Sequence, residues 1–274
     1  MMMRKVLTYS ISCIKPYINW IYFYYAWGMN GKPAEAKQQL RADAEVMLQG
    51  WEEHYHTHAV FGIYPANSDG DDLILDGVRI PMLRQQKPIA PGNPNLCLSD
   101  FVRPLTSGRS DTVGAFATTV DAGMERGPAG DAYGQMMAQV LADRLAEGTA
   151  ECMHEEVRRV YWGYAPDEQL TMEETHQERY QGIRPAVGYP SLPDTSINFV
   201  LSDLIGMKDI GIRLTASGMM QPHASVSGLM LAHPKAHYFD LGRIGEDQLC
   251  DYARRRGIPV TLMRRFLGNK LSSQ

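Results

Sequence analysis

Between Asp131 and Tyr161 the residues Met137, Leu141, Leu145, Met153, Val157 and Val160 recur at close to a 3.6-residue period. That spacing predicts one long helix with a buried stripe. Pro33 to His54 reads as an amphipathic helix, with proline in its first turn and many good helix formers behind it. Residues 59–116 change character. The short apolar runs Ala59–Tyr64 and Asp72–Leu75 are broken by Asn-Ser-Asp-Gly and proline-rich turns, which predicts strands joined by loops. A helix is expected over Asp194–Met207. Strands are expected over Ile212–Met220, Ser225–Ala232 and His237–Ile244. Two short helices, Gly245–Arg256 and Pro259–Leu267, close the chain. Strands do not alternate regularly with helices. This argues against a doubly wound parallel sheet and for an α+β fold with a mainly antiparallel sheet.

Bulk properties narrow the function classes. A formal net charge of −4 offers a polyanion no global attraction, so nucleic acid is not an expected partner. Cys13, Cys97, Cys152 and Cys250 are scattered without a CxxC pair. That argues against a zinc knot or a secreted disulfide framework, and fits a reducing cytoplasm. The opening Met-Met-Met-Arg-Lys and the apolar stretch behind it look like a weak signal peptide. Lys15 and Pro16 interrupt it, and no small-residue cleavage site follows. The aromatic run Ile18–Trp27 is too short to span a bilayer. It is expected to be a buried strand or helix segment, and no membrane partner is expected.

Several motifs are missing. There is no GxGxxG, no GxxxxGK[ST], no GxSxG elbow and no Asp-x-His-x-x-Gly segment of the kind that ligates cobalamin. No catalytic residue is therefore assigned, and any chemistry is borrowed from a ligand or a partner. His54-Tyr-His-Thr-His58 could line a strand face and bind a metal. No carboxylate or cysteine pattern completes such a site, so exposed histidines are the plainer reading and no metal is assigned. Asp143, Glu147, Glu151 and Glu155 fall at i, i+4 spacing along one helical stripe. Like charges so placed cost about 0.2–0.5 kcal/mol per pair in an isolated helix. Either this is a solvated face, with Arg144, Arg158 and Arg159 as partners, or it is a docking or ligand-facing surface.

Arg184-Pro-Ala-Val-Gly-Tyr-Pro190 carries the most chemistry. Pro185 disfavours helix at Arg184, Gly188 permits unusual dihedrals, and Pro190 biases Tyr189 to an extended shape. The result is a stiff loop offering backbone groups, a guanidinium fork and an aromatic face. A bidentate arginine suits an amino-acid carboxylate, and an aromatic face suits a sulfonium or an adenine. On composition alone, a well-made turn whose arginine pairs with a surface acid is the plainer reading.

The wider sequence carries a family likeness. Val160-Tyr-Trp-Gly-Tyr-Ala-Pro166, Tyr180 to Pro190, Ala224-Ser-Val-Ser-Gly228, His233-Pro234 and Asp251-Tyr-Ala-Arg-Arg255 resemble the activation domain of cobalamin-dependent methionine synthase. So do Tyr64-Pro-Ala-Asn67, Leu83-Arg-Gln-Gln86, Cys97-Leu-Ser-Asp-Phe101, Gly114-Ala-Phe116 and Leu141 to Glu147. The likeness runs from about Ile18 to Leu271. It divides the chain into an N-terminal extension, 1–17, and an activation domain, 18–274. The resemblance implies a C-shaped single domain with a twisted, mainly antiparallel sheet flanked by helices.

The resemblance also implies a function in methionine biosynthesis. The domain would bind S-adenosylmethionine as methyl donor for reductive methylation of cob(II)alamin, with cobalamin supplied only by a partner chain and the electron by a flavodoxin-like reductase. Carried over by motif, Arg184 binds the ligand carboxylate, Ala186 offers backbone contacts and Tyr189 shapes the loop. Tyr238, and Phe239 where the family commonly has a second tyrosine, sit against the ligand. Asp143 and Glu147 face the cobalamin-binding partner.

Two departures stand out. Asn19 replaces a family aspartate that contacts the ligand. A charge-assisted bond is worth roughly 1.5–3 kcal/mol against about 1 for a neutral one, so affinity is expected to drop by about tenfold. The other domains of the long enzyme are also missing from this sequence, and the Met-Met-Met-Arg-Lys start favours a separate subunit over an excised piece. A non-catalytic S-adenosylmethionine-binding or corrinoid-capping module, serving methionine synthase or another corrinoid methyltransferase, is the alternative.

Overall fold

A computed structural model describes residues 3–88, 90 and 92–271. Strand β1 (Met3–Ser10) leads into α1 (Ile11–Ile14), α2 (Trp20–Ala26) and α3 (Ala34–Trp51). Strands β2 (His56–Asp69), β3 (Asp72–Leu75), β4 (Val78–Pro81) and β5 (Asp111–Val120) follow. Next come the long α4 (Ala132–Glu156), the short α5 (Met172–His176) and α6 (Ile197–Ile205). Two minimal strands, β6 (Arg213–Leu214) and β7 (Met220–Gln221), precede β8 (Ser225–Met230). Helices α7 (Glu246–Arg256) and α8 (Val260–Leu267) complete the chain.

The main sheet is antiparallel and curled, in the order β4-β3-β2-β5-β8. The long β2 pairs with β1 along its first half and with β3 at its end. Period-two alternation explains how the sheet builds two cores. On β2, Val60, Tyr64 and Ala66 face a core with α6, α7 and α8, whereas Ala59, Phe61 and Ile63 face one with α1 to α4. On β5, Val113, Ala115 and Ala117 join the first and Phe116 and Val120 the second. Both faces are covered, so these strands read as nearly continuous apolar runs. The expected α+β class with an antiparallel sheet and flanking helices is what forms.

The details differ in five places. Residues 3–17 are not set apart from the rest: β1 pairs with β2 over eight residues, and Ile11 and Ile14 are core side chains. The aromatic run after Ile18 is helical, but only Phe23 of α2 is buried, while Ile21, Tyr22 and Tyr25 are exposed. The helix expected over Asp131–Tyr161 is α-helical only to Glu156 and ends in a π turn over Val157–Tyr161. Ile212–Met220 is interrupted by a turn at Thr215–Gly218, leaving β6 and β7 with two residues each. His237–Ile244 forms no strand. Its backbone bonds instead to Pro190 O and the Ser191 hydroxyl. Among the described residues, no helix is long and apolar enough to cross a membrane.

Candidate functional site

The Arg184–Pro190 loop lies directly on β8. Ile183 N–H donates to Leu231 O at 2.9 Å, Leu229 N–H to Pro185 O at 3.0 Å, and Val187 N–H to Ser227 O at 2.8 Å. Gly228 makes this approach possible: a Cβ there would stand 2.1 Å from Pro185 O. The loop then turns at Gly188, whose φ of +89° suits glycine. Gly188 N–H bonds to Leu192 O and Leu192 N–H to Tyr189 O.

Between this loop, α2 and the middle of α4 opens a cleft of ≈ 700 Å³. It brings together Asn19, Arg184, Ala186, Tyr189, Tyr238 and Phe239, with Glu147 on its α4 wall. Asp143 does not line it. That carboxylate lies 3.7 Å from His223 Nδ1 one turn away, and burial pushes it above the usual range.

Arg184 is buried at the cleft wall. Its Nη2 donates to Glu151 Oε1 at 2.5 Å, and the guanidinium lies 5.3 Å from the Phe116 ring centroid. Burial works against the charge, but Glu151, Tyr180, Tyr238 and Glu147 together more than offset it, and the guanidinium is held above its ordinary range. Arg184 Nε and Glu151 Oε2 are buried without a hydrogen-bond partner. Orphaned polar atoms of this kind are costly unless something else satisfies them. A donor and an acceptor so placed fit the carboxylate and ammonium of an amino acid.

The remaining walls are phenolic and acidic. Tyr189 donates to Glu147 Oε1 at 2.7 Å, and burial followed by that carboxylate raises its phenol above the usual range. Tyr17 donates to Glu155 Oε2 at 2.9 Å. Tyr22 and Tyr25 of α2 also line the cleft. Phe239 is fixed from behind, where Ser191 Oγ donates to its carbonyl at 2.5 Å. Asn19 caps α2, its Oδ1 accepting from Ile21 N–H at 3.1 Å. Glu178 sits at the rim with a φ of +59°, a region that few non-glycine residues occupy. Three carboxylates (Glu147, Glu151 and Glu178) line the cleft with two guanidinium groups (Arg144 and Arg184), while the fourth lining acid, Asp240, is paired with Lys270. The cleft therefore favours a ligand with excess positive charge.

The acidic stripe divides accordingly. Glu147 and Glu151 serve the cleft, Glu155 pairs with Arg159, and Arg158 turns inward to Glu168. Sequence reasoning missed Glu151 as the partner of Arg184, and missed Tyr17, Tyr22, Tyr25 and Glu178 as lining residues. His56 and His58 both approach Asp121, with His58 Nε2 at 2.8 Å, while His54 lies in the turn after α3. Among the described residues no group of three His, Cys, Asp or Glu side chains is arranged to hold a metal ion.

Comparison with known proteins identifies the family and a structural relative. Residues 10–257 match the family described as vitamin B12 dependent methionine synthase, activation domain. The whole chain superposes on 91% of a solved chain, a crystal structure of the MetH reactivation domain bound to AdoHcy, with 38% identity and a TM-score of 0.91. This chain belongs to the activation-domain family of vitamin B12-dependent methionine synthase.

Proposed function

We propose that the cleft binds S-adenosylmethionine and presents its methyl group to cobalamin held by a partner, as the reactivation module of a methionine synthase. The observation that carries this reading is the buried Arg184 with its unpaired Nε, beside the unpaired Glu151 oxygen. Arg184 takes the ligand carboxylate, and Glu151 and Glu178 take the ammonium. The backbone at Ala186 meets the adenosyl end, while Tyr189, Tyr238 and Phe239 pack against the ligand. Phenolic faces suit a sulfonium, and the acidic lining suits its charge. The related structure bound to AdoHcy supports the same ligand class.

Cobalamin is a substrate here, and once reduced it supplies the nucleophile that accepts the methyl group. Asp143 and Glu147, on α4, form the face toward the cobalamin-binding partner, and a flavodoxin-like reductase supplies the electron. The chain is a component of the methyltransferase and is not catalytic alone. It works in the cytoplasm.

Calorimetry tests the reading. Wild type takes up one S-adenosylmethionine per chain. Arg184→Ala loses a charge-assisted contact and weakens binding by roughly 10- to 150-fold. No heat from wild type at millimolar ligand sinks it. A second reading, a non-catalytic sensor or cap, is favoured by Asn19, whose carbonyl oxygen is already engaged in capping α2. Reductive methylation of a purified cobalamin-binding partner separates the two: methylation dependent on this chain supports the first, and binding without methylation supports the second.

A further inference from the structure

The π turn after α4 carries Arg158 fully into the interior. Glu168 matches its charge, with carboxylate oxygens 2.9 and 3.0 Å from Nε. Arg158 Nη1 lies 2.9 Å from His154 Nδ1. A guanidinium only donates, so His154 accepts at Nδ1 and carries its proton on Nε2, 3.4 Å from the Tyr164 hydroxyl.

Tyr180 is clamped between these groups. The Arg158 guanidinium lies 4.3 Å from its ring centroid, and His154 meets the ring edge-on at 4.9 Å. The Tyr180 hydroxyl is 3.1 Å from that of Tyr238, which in turn accepts from the Arg184 backbone N–H at 2.9 Å. Tyr238 lines the cleft, whereas Arg158 and Tyr180 do not.

Either hydroxyl of the phenol pair can donate. With Tyr180, whose ring lies against the Arg158 cation, as the donor, Tyr238 Oη accepts twice, from Tyr180 and from the Arg184 amide, and both of its lone pairs are used. Its own proton is left to donate. We propose that Tyr180, clamped by Arg158, is a positioning residue of the cleft: it turns the Tyr238 hydroxyl into a hydrogen-bond donor toward the ligand and steadies the backbone at Arg184. This inference rests on the cleft being the S-adenosylmethionine site.

Tyr180→Phe keeps the stacked ring and removes only the hydroxyl. In the ligand-free protein the Arg184 backbone amide resonance shifts and its hydrogen exchange quickens. Calorimetry with S-adenosylmethionine shows roughly fivefold weaker binding, the worth of one neutral hydrogen bond. In a Tyr238→Phe background the same substitution costs nothing further, because the two residues act in series. An unmoved Arg184 amide overturns the inference, and so do equal losses in both backgrounds. If wild type binds no S-adenosylmethionine, the function reading fails and takes this inference with it. Additive losses in a wild type that binds overturn this inference alone.

Discussion

Gly228→Ala tests how the sheet positions the Arg184–Pro190 loop. Gly228 sits on β8 opposite Ala186, and the loop backbone lies across its missing side chain. A Cβ there meets Pro185 O at 2.1 Å, 1.3 Å short of the 3.4 Å at which ordinary contact begins. Ala186 Cα and Phe116 Cε1, both at 2.9 Å, close the lateral escape routes. The loop must therefore lift. Overpacking of this kind costs about 1–3 kcal/mol, or roughly 2–5 °C in melting temperature for a chain of this size. Arg184 and Ala186 flank the displaced carbonyl. A shift of that size takes a charge-assisted bond out of range, which weakens S-adenosylmethionine binding by roughly 10- to 150-fold. Differential scanning calorimetry and ligand titration read the two effects separately. Gly50→Ala is the control, since nothing lies within 4 Å of a Cβ there; in α3 it leaves binding alone and adds helix propensity. A Gly228→Ala protein that melts and binds like wild type refutes the reasoning.

Two further outcomes follow from buried groups. Burial, with Arg158 and Arg184 alongside, holds His154 well below the usual imidazole range. The unfolded chain takes up that proton near pH 6.5 and the folded chain does not, so stability present at neutral pH is lost as pH falls below about 6.5, by up to about 1.4 kcal/mol per pH unit. His154→Gln should flatten the fall of melting temperature with acidification; an unchanged slope contradicts it. Burial also pushes the thiol of Cys97 up to about 11 and that of Cys152 up to about 12, while Cys13 and Cys250 are exposed. Iodoacetamide on the folded protein at about pH 8 should modify Cys13 and Cys250 only, and mass-spectrometric detection of adducts on Cys97 or Cys152 refutes this.

What the sequence revealed depends on how local each cause is. The stripe of α4 was legible because helix periodicity reports directly on which side chains are buried. His237–Ile244 shows the limit of that rule. Phe239 and Leu241 are buried on either side of exposed Asp240, as in a strand, yet the segment bonds to Pro190 and Ser191 rather than to a strand partner. Alternation reports burial, not pairing. The stiff turn at Arg184–Pro190 was legible as a loop because proline, glycine and arginine act within seven residues. Glu151 was not legible as the partner of Arg184, since 33 residues separate them and the helix-on-sheet packing brings them together. Tyr22 and Tyr25 misled for a related reason: aromatic side chains usually signal core, but these two are spent on the cleft.

Asn19 shows how a single departure from the family pattern weighs in a built site. Asparagine and aspartate cap a helix about equally well, so the start of α2 is held with either residue. What asparagine lacks is the spare capacity of a carboxylate, which accepts at about four lone-pair sites and can cap α2 while still meeting a cationic ligand. Asn19 has one carbonyl oxygen with two lone pairs, and Ile21 N–H already takes one of them. Counted by itself, that substitution removes a charge-assisted contact. The cleft, however, already holds Glu147, Glu151 and Glu178 against two arginines. Burial, followed by the Glu151 charge, raises Glu178 above the usual carboxylate range. A further acid at position 19 would add to that negative charge while the cleft is free of ligand. The field that attracts a sulfonium is therefore spread over α4 and the α5 turn and does not hang on residue 19, and the tenfold loss expected from the sequence is an upper bound.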